Sequence, residues 1–218
     1  MKAQRFWGAV LAVSVLFAYA AYAQDAGQKD AKPSEKASKV VEGLNKQADS
    51  NSNAEADVKK YTKEKLMAWC TDPVFVKACQ EQNAKKVSLD QIKKTDKEWS
   101  DAEEELPIQK EMMSNTCAKE ILRMCKELGV ITECFVMDNQ GANVGQNTLT
   151  SDYWQGDEPK WQEAFNSGKG GVHFDKPKLD KSTNQVDQKV GLPIIDENGN
   201  VIGAICIGLN VDQVKQAK

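Results

Sequence analysis

The sequence predicts an α+β domain, and three observations predict it. Apolar residues recur at helical spacing as far as Gly129 and at every second position beyond it. Two turn signals, Asp138-Asn139-Gln140-Gly141 and Asp196-Glu197-Asn198-Gly199, divide the second half into hairpins. A helical half followed by about five mostly antiparallel strands is the result.

Each element follows in turn. A helix over 58–70 has Tyr61, Lys65, Leu66 and Trp69 at helical spacing. Asp72-Pro73 opens the next, with Asp as N-cap and Pro in the first turn, and Val76, Cys79 and Asn83 fall on one side of it. Ser88-Leu89-Asp90-Gln91 matches a capping box and starts a helix toward Trp99. Pro107 punctuates. A helix over 116–128 carries Cys117, Ile121, Met124, Cys125 and Leu128 on one face and stops at Gly129. Strands are then expected at 130–137, 142–146, 172–175, 185–195 and 201–209.

Upstream of this domain the chain divides in two. Residues 1–23 read as an export signal, with Lys2 and Arg5 as a basic head, an uncharged run over 6–20, and Ala21-Tyr22-Ala23 as the cleavage site. The same run is long enough to stay as an uncleaved anchor. Residues 24–56 have only Val40, Val41 and Leu44 as larger apolar groups. They are expected to be a disordered or weakly helical tether, with a marginal helix over 34–47. Residues 57–218 suit a single core. A periplasmic or secreted location follows from the signal.

Composition narrows the function. The chain has 29 basic and 32 acidic side chains, and losing Lys2 and Arg5 takes the net charge from −3 to −5. That gives no reason to expect nucleic acid as a partner. A single histidine, His173, excludes multi-His zinc sites. Cys-x-x-Cys, Gly-x-Ser-x-Gly and the phosphate-binding loop are all missing, as is the calcium-loop pattern. No metal, cofactor or enzymatic activity is therefore expected, and a binding role leads. A hydrolase using His173 with Ser151 or Ser167 lacks a recognisable activated nucleophile.

Six cysteines in an exported chain suggest at least one disulfide. Cys117 and Cys125 lie about 12 Å apart along one helix at 1.5 Å per residue, too far to join each other. Each is left to face Cys70 or Cys79, while Cys134 and Cys206 occupy the first and last strands as prospective neighbours.

The unusual segment is 150–165, with four aromatic and four acidic residues. Its second part reads as a short helix capped by Asp157, with Trp161 and Phe165 on one side sealing it to the sheet. Tyr153 and Trp154 are adjacent and precede this helix, so at least one of them is expected to line a groove. Aromatic faces beside Asp152 and Asp157 suit a cation. In the mature chain Arg123 is the only arginine and Lys160 the only basic group in the segment, so a small amine or amino acid is the expected guest, with Asp157 pairing its ammonium.

The run Asp152-Tyr153-Trp154-Gln155-Gly156-Asp157-Glu158, preceded by Phe135 to Gly141 and followed by Gln188 to Asp196 and Ile202 to Ile205, resembles the Cache family of extracellular PAS-like sensor domains, over about 58–212. The resemblance implies long N-terminal helices on a five-stranded antiparallel sheet and a small-molecule pocket between the sheet and the segment joining its second and third strands. By position it implies Tyr153, Trp154, Asp157, Trp161, His173 and Asp187 as ligand-binding candidates. Receptors of this kind attach an output domain. None follows residue 218 here, so a separate membrane-bound signalling partner is expected. His173, beside Gly170-Gly171, also reads as a hydrogen-bonded structural imidazole. Gly156, Gly168, Gly170 and Gly171 read as hinges for closure of the segment. The alternative function is a structural or interaction protein with a vestigial pocket.

Overall fold

The computed structural model describes residues 32–180 and 185–217, so the export signal expected over 1–23 lies outside the described residues. Helix α1 (Glu35–Ser50) starts where Ser34 Oγ accepts from Ala37 N at 3.1 Å. It buries Ala37, Leu44 and Ala48, which share one stripe at intervals of seven and four residues. Residues 35–50 of the stretch expected as a tether thus form a helix, close to the one expected over 34–47, and it is docked on the core. Its few apolar groups cannot form a core of their own, but they suffice to dock a helix on a core built by other segments. From Pro33 onward the chain is one unit.

Helix α2 (Ala56–Tyr61) runs on through a π turn, Thr62–Leu66, and a 3₁₀ turn, Met67–Thr71. The helix expected over 58–70 is therefore one path whose hydrogen-bond register changes twice. Helix α3 (Pro73–Ala84) is capped by Asp72, whose side chain accepts from Val74 N and Phe75 N. Helix α4 (Leu89–Ser100) is capped by Ser88 Oγ, which accepts from Gln91 N. Helix α5 (Pro107–Ser114) lies where the sequence offered only a Pro. Gln109 Oε1 accepts from Leu106 N at 2.8 Å and holds its first turn. Helix α6 (Thr116–Leu128) ends at Gly129, whose φ of 69° is left-handed.

The sheet is antiparallel, with strands β1 (Ile131–Met137), β2 (Asn143–Gln146), β3 (His173–Phe174), β4 (Lys178–Asp180), β5 (Gln185–Ile195) and β6 (Val201–Asn210). Their order is β2-β1-β6-β5-β3, and β4 also pairs with β5. Six strands replace the five expected. The extra one continues the same edge position as β3, so the sheet is still five strands wide. Helix α7 (Pro159–Phe165) joins β2 to β3, and helix α8 (Val211–Gln216) follows β6.

Register assigns the two faces. Cys134 opposes Ile207, which opposes Val190, and Val136 opposes Ile205, which opposes Leu192. These six belong to the main core with Leu44, Leu66, Phe75 and Ile121 from the helices. The other face presents Phe135, Met137, Ala204 and Cys206, which pack with Ala164 and Trp161 of α7.

All six cysteines are free, so the expected disulfide is not formed. The sheet pairing shows why Cys134 and Cys206 do not join. Cys206 opposes Phe135, the residue after Cys134, so the two thiols project from opposite faces. Burial pushes the Cys70 and Cys206 thiols up to about 12 and Cys125 up to about 11. Buried and protonated, they behave as small apolar groups.

Candidate functional site

The face under α7 is built around a bulge. Phe135 opposes Gln146 and Val136 opposes Gly145, but Met137 opposes Asn143, so Val144 is the extra residue. In a straight strand, positions 143 and 146 would point to opposite faces. The bulge returns Asn143 to the face of Gln146. Both are fully buried. Asn143 Nδ2 donates to Gln146 Oε1 at 3.1 Å, to Thr150 Oγ1 at 2.8 Å and to the Asp152 carbonyl at 3.1 Å. Two atoms of this pair have no hydrogen-bond partner: the acceptor Asn143 Oδ1 and the donor Gln146 Nε2.

Beside them, Lys160 reaches down from α7. Its Nζ lies 5.5 Å from the centroid of Phe135, the residue opposite Gln146, and its side chain is only 13% exposed. Gly191 admits this approach, because a Cβ there would collide with the Lys160 carbonyl. Lower on the same face Lys189 pairs with Glu133. Burial works against the Lys189 ammonium, but the hydrogen bond and charge of Glu133 outweigh it and hold the pKa above the usual lysine range.

The covering segment is fastened to the β1–β2 turn. Trp154 Nε1 donates to the Gln140 carbonyl at 2.8 Å and Trp161 Nε1 to the Asp138 carbonyl at 3.0 Å. From the helical side, Asp96 Oδ1 accepts from both Tyr153 N and Trp154 N at 2.9 Å. The glycines read as hinges serve partly for close approach instead. Space for a side chain is missing at Gly156, against Trp154 and the Gln140 carbonyl, and at Gly171, against the Glu163 carbonyl.

The six sequence candidates are not brought together at one point. Tyr153 is 5% exposed and packs with Ile92, Trp99, Met112 and Ala142, its ring 5.6 Å from Trp99. Burial, with the nearby Asp138 charge, pushes its phenol up to about 12. Trp154 is partly exposed at the rim of the same cluster, with Lys93 Nζ 4.6 Å from its ring centroid. Trp161 stacks on Phe165 at 5.0 Å and lies over the sheet. His173 is buried beneath α7, with Nδ1 2.8 Å from Glu163 Oε2 and Nε2 3.0 Å from Asp175 Oδ1. Asp157 is exposed in the turn before α7, and the cap position it was expected to fill belongs to Glu158. The chain starts its helix one residue later, at Pro159. Asp187 accepts from Thr132 Oγ1 at 2.7 Å at the far end of the sheet. Asn143 and Gln146 do not stand out in the sequence, because the bulge that gathers them has no local signature.

Comparison with known proteins bears on the fold. No family model and no curated protein matches the chain. Solved structures do. The sensor domain of the Vibrio cholerae histidine kinase DctB matches with a TM-score of 0.42 and 14% identity, over 83% of this chain and 59% of that one. The ligand-binding domain of the Campylobacter jejuni chemoreceptor Tlp3, in complex with 4-methylisoleucine, matches at 0.36 and 12%, over 84% and 64%. That of the Pseudomonas aeruginosa amino acid chemoreceptor PctC, in complex with GABA, matches at 0.33 and 7%, over 66% and 59%. These neighbours are Cache-type sensor domains. The chain spans about three fifths of their length. Among the described residues no helix is long and apolar enough to cross a membrane.

Proposed function

We propose that the chain is an extracytoplasmic sensor-type domain that binds a small amino acid or amine against the sheet face covered by α7. One observation carries this reading: the unpartnered Asn143 Oδ1 and Gln146 Nε2. A buried polar atom without a partner costs about 1–3 kcal/mol, and such atoms call for an explanation. A guest with an ammonium and a carboxylate supplies what both lack. Its ammonium donates to Asn143 Oδ1, and its carboxylate accepts from Gln146 Nε2 with Lys160 adding charge from above. The ligands named for two neighbours, 4-methylisoleucine and GABA, are of the same chemical class.

The residues singled out in the sequence take graded parts in this proposal. Trp161 and His173 border the face, Tyr153 and Trp154 anchor the cover, Asp157 rides on it, and Asp187 lies further along the sheet. Because Asn143 and Gln146 are closed off from solvent, the guest enters only when α7 or the segment before it lifts. Recognition of the re-closed surface by a membrane-bound partner is the route by which binding becomes a signal.

Calorimetry with a panel of α-amino acids and simple amines tests the reading on the wild type and on Gln146→Met. Heat from amino acids that is lost in Gln146→Met supports it. Heat retained in that variant, or none from any compound, counts against it. A second reading, an interaction module with a closed pocket, is favoured by the packing of Tyr153 into the apolar cluster with Trp99. It predicts no heat at all.

A further inference from the structure

Among the described residues, helix α4 stands apart from the main core. Its two buried side chains, Ile92 and Trp99, join Met112, Ala142 and Tyr153 in a separate cluster. The helix is fastened to the strap over 150–154, the start of the covering segment, and the polar groups of that strap divide between two sides. Toward the candidate site, Thr150 Oγ1 and the Asp152 carbonyl accept from Asn143 Nδ2 at 2.8 and 3.1 Å, and the Tyr153 carbonyl accepts from Asn143 N at 3.0 Å. Toward α4, the Thr150 carbonyl accepts from Trp99 Nε1 at 2.9 Å, and Tyr153 N and Trp154 N both donate to Asp96 Oδ1 at 2.9 Å. Lys93, Asp96 and Trp99 make these contacts from one face of the helix, three residues apart. The outward face carries Lys94, Lys97, Glu98 and Asp101, paired along the helix four residues apart.

We infer that the Asn143 amide and helix α4 are coupled through this strap, so that α4 reports whether the site under α7 is occupied. The inference rests on the amino acid reading above and names the surface that changes with it. Asn143 offers its orphaned Oδ1 to the guest and its Nδ2 to the strap. An ammonium at Oδ1 polarises the amide and strengthens what Nδ2 donates, because linked hydrogen bonds reinforce one another. Firmer bonds to Thr150 and Asp152 restrict the strap, which passes the restriction on to Trp99 and Asp96. No displacement is required, since the signal is a loss of motion in α4 and the coupling runs through order. The helix suits this part: held by a satellite cluster and a strap, it opens more readily than elements of the main core. Its charged outer face is then the surface whose stiffness depends on the guest.

Hydrogen exchange and side-chain amide NMR on the full chain test the coupling, first with no guest present. Asp96→Ala removes the acceptor of two strap amides and lies across the strap from Asn143. It is expected to speed exchange over 92–100 about tenfold and to shift the Asn143 side-chain amide signals, while the amides of β5 and β6 keep their protection. Trp99→Phe keeps a ring in the cluster and loses the Nε1 donor, so smaller changes of the same sign are expected. It decides alone should Asp96→Ala not fold. Asn143 signals that stay fixed in the folded variants overturn the inference. Where calorimetry gives heat with L-isoleucine, saturation with that probe is expected to slow exchange over 92–100 in the wild type and not in Asp96→Ala. Binding that leaves α4 exchange unchanged also overturns the inference. Failure of the amino acid reading looks different: no compound gives heat, yet the variants still link Asp96 to Asn143, which supports the coupling and sinks that reading alone.

Discussion

His173 Nδ1 lies 2.8 Å from Glu163 Oε2, and this contact pins helix α7 to strand β3. The opposite ring nitrogen faces Asp175 at 3.0 Å, so both nitrogens meet carboxylate oxygens. The one histidine of the chain is thus a brace beneath the cover of the candidate site.

His173→Ala is expected to cost about 1.5–3 kcal/mol, the range for hydrogen bonds to charged groups. Chemical denaturation measures the loss. Hydrogen exchange should place the lost protection on α7 first, with the main core much less affected.

Leu44 is fully buried in the main core although it lies in a stretch with little else to bury. Leu44→Ala is expected to destabilise by about 2–5 kcal/mol. If residues 33–50 were an undocked tether the same change would be nearly silent, and a denaturation midpoint distinguishes the two.

Much of the fold was legible in the sequence because its signals are local. Asp72, Ser88 and Gly129 end or begin helices through contacts within a few residues, and the strands Gln185–Ile195 and Val201–Asn210 announce themselves by alternation. Docking of α1 was not legible, since Ala37 and Ala48 gain meaning only from the partner they touch. The bulge at Val144 was equally hidden. Counting in twos sets Asn143 and Gln146 on opposite faces, and only the pairing with Met137 brings them together. Tyr153 and Trp154 were conspicuous for their chemistry, yet their polar and apolar contacts hold the covering segment in place.

The cysteines make a reagent test. With burial pushing Cys70 and Cys206 up to about 12 and Cys125 up to about 11, native protein at mildly alkaline pH should react slowly with a thiol reagent. Cys125, the only one of the six that is not fully buried, should react first. In denaturant without reductant all six should titrate. A shortfall of two would mean that a disulfide forms.

Asp138 is buried, and desolvation raises its pKa above the usual aspartate value despite hydrogen bonds from Gln140, Gly141 and Ala142 that oppose the shift. The native state therefore holds this proton more tightly than the unfolded chain. Its contribution to stability is fully present below the unfolded value near 3.8 and is lost as pH rises through the folded value. Asp138→Asn retains an acceptor for Gln140 and Ala142 and removes the ionisation. The variant should gain stability relative to the wild type as pH rises through that window, as read by thermal melts across acid to neutral pH.

The central claim is that Gln146 Nε2 and Asn143 Oδ1 await a guest. The most direct measurement follows the side-chain amide signals of Gln146 and Asn143 by NMR while α-amino acids are added. Saturable movement of both signals with at least one amino acid, and none with the corresponding amine lacking the carboxylate at Gln146, is the predicted result. Signals that stay fixed across the panel while the protein remains folded would contradict the account.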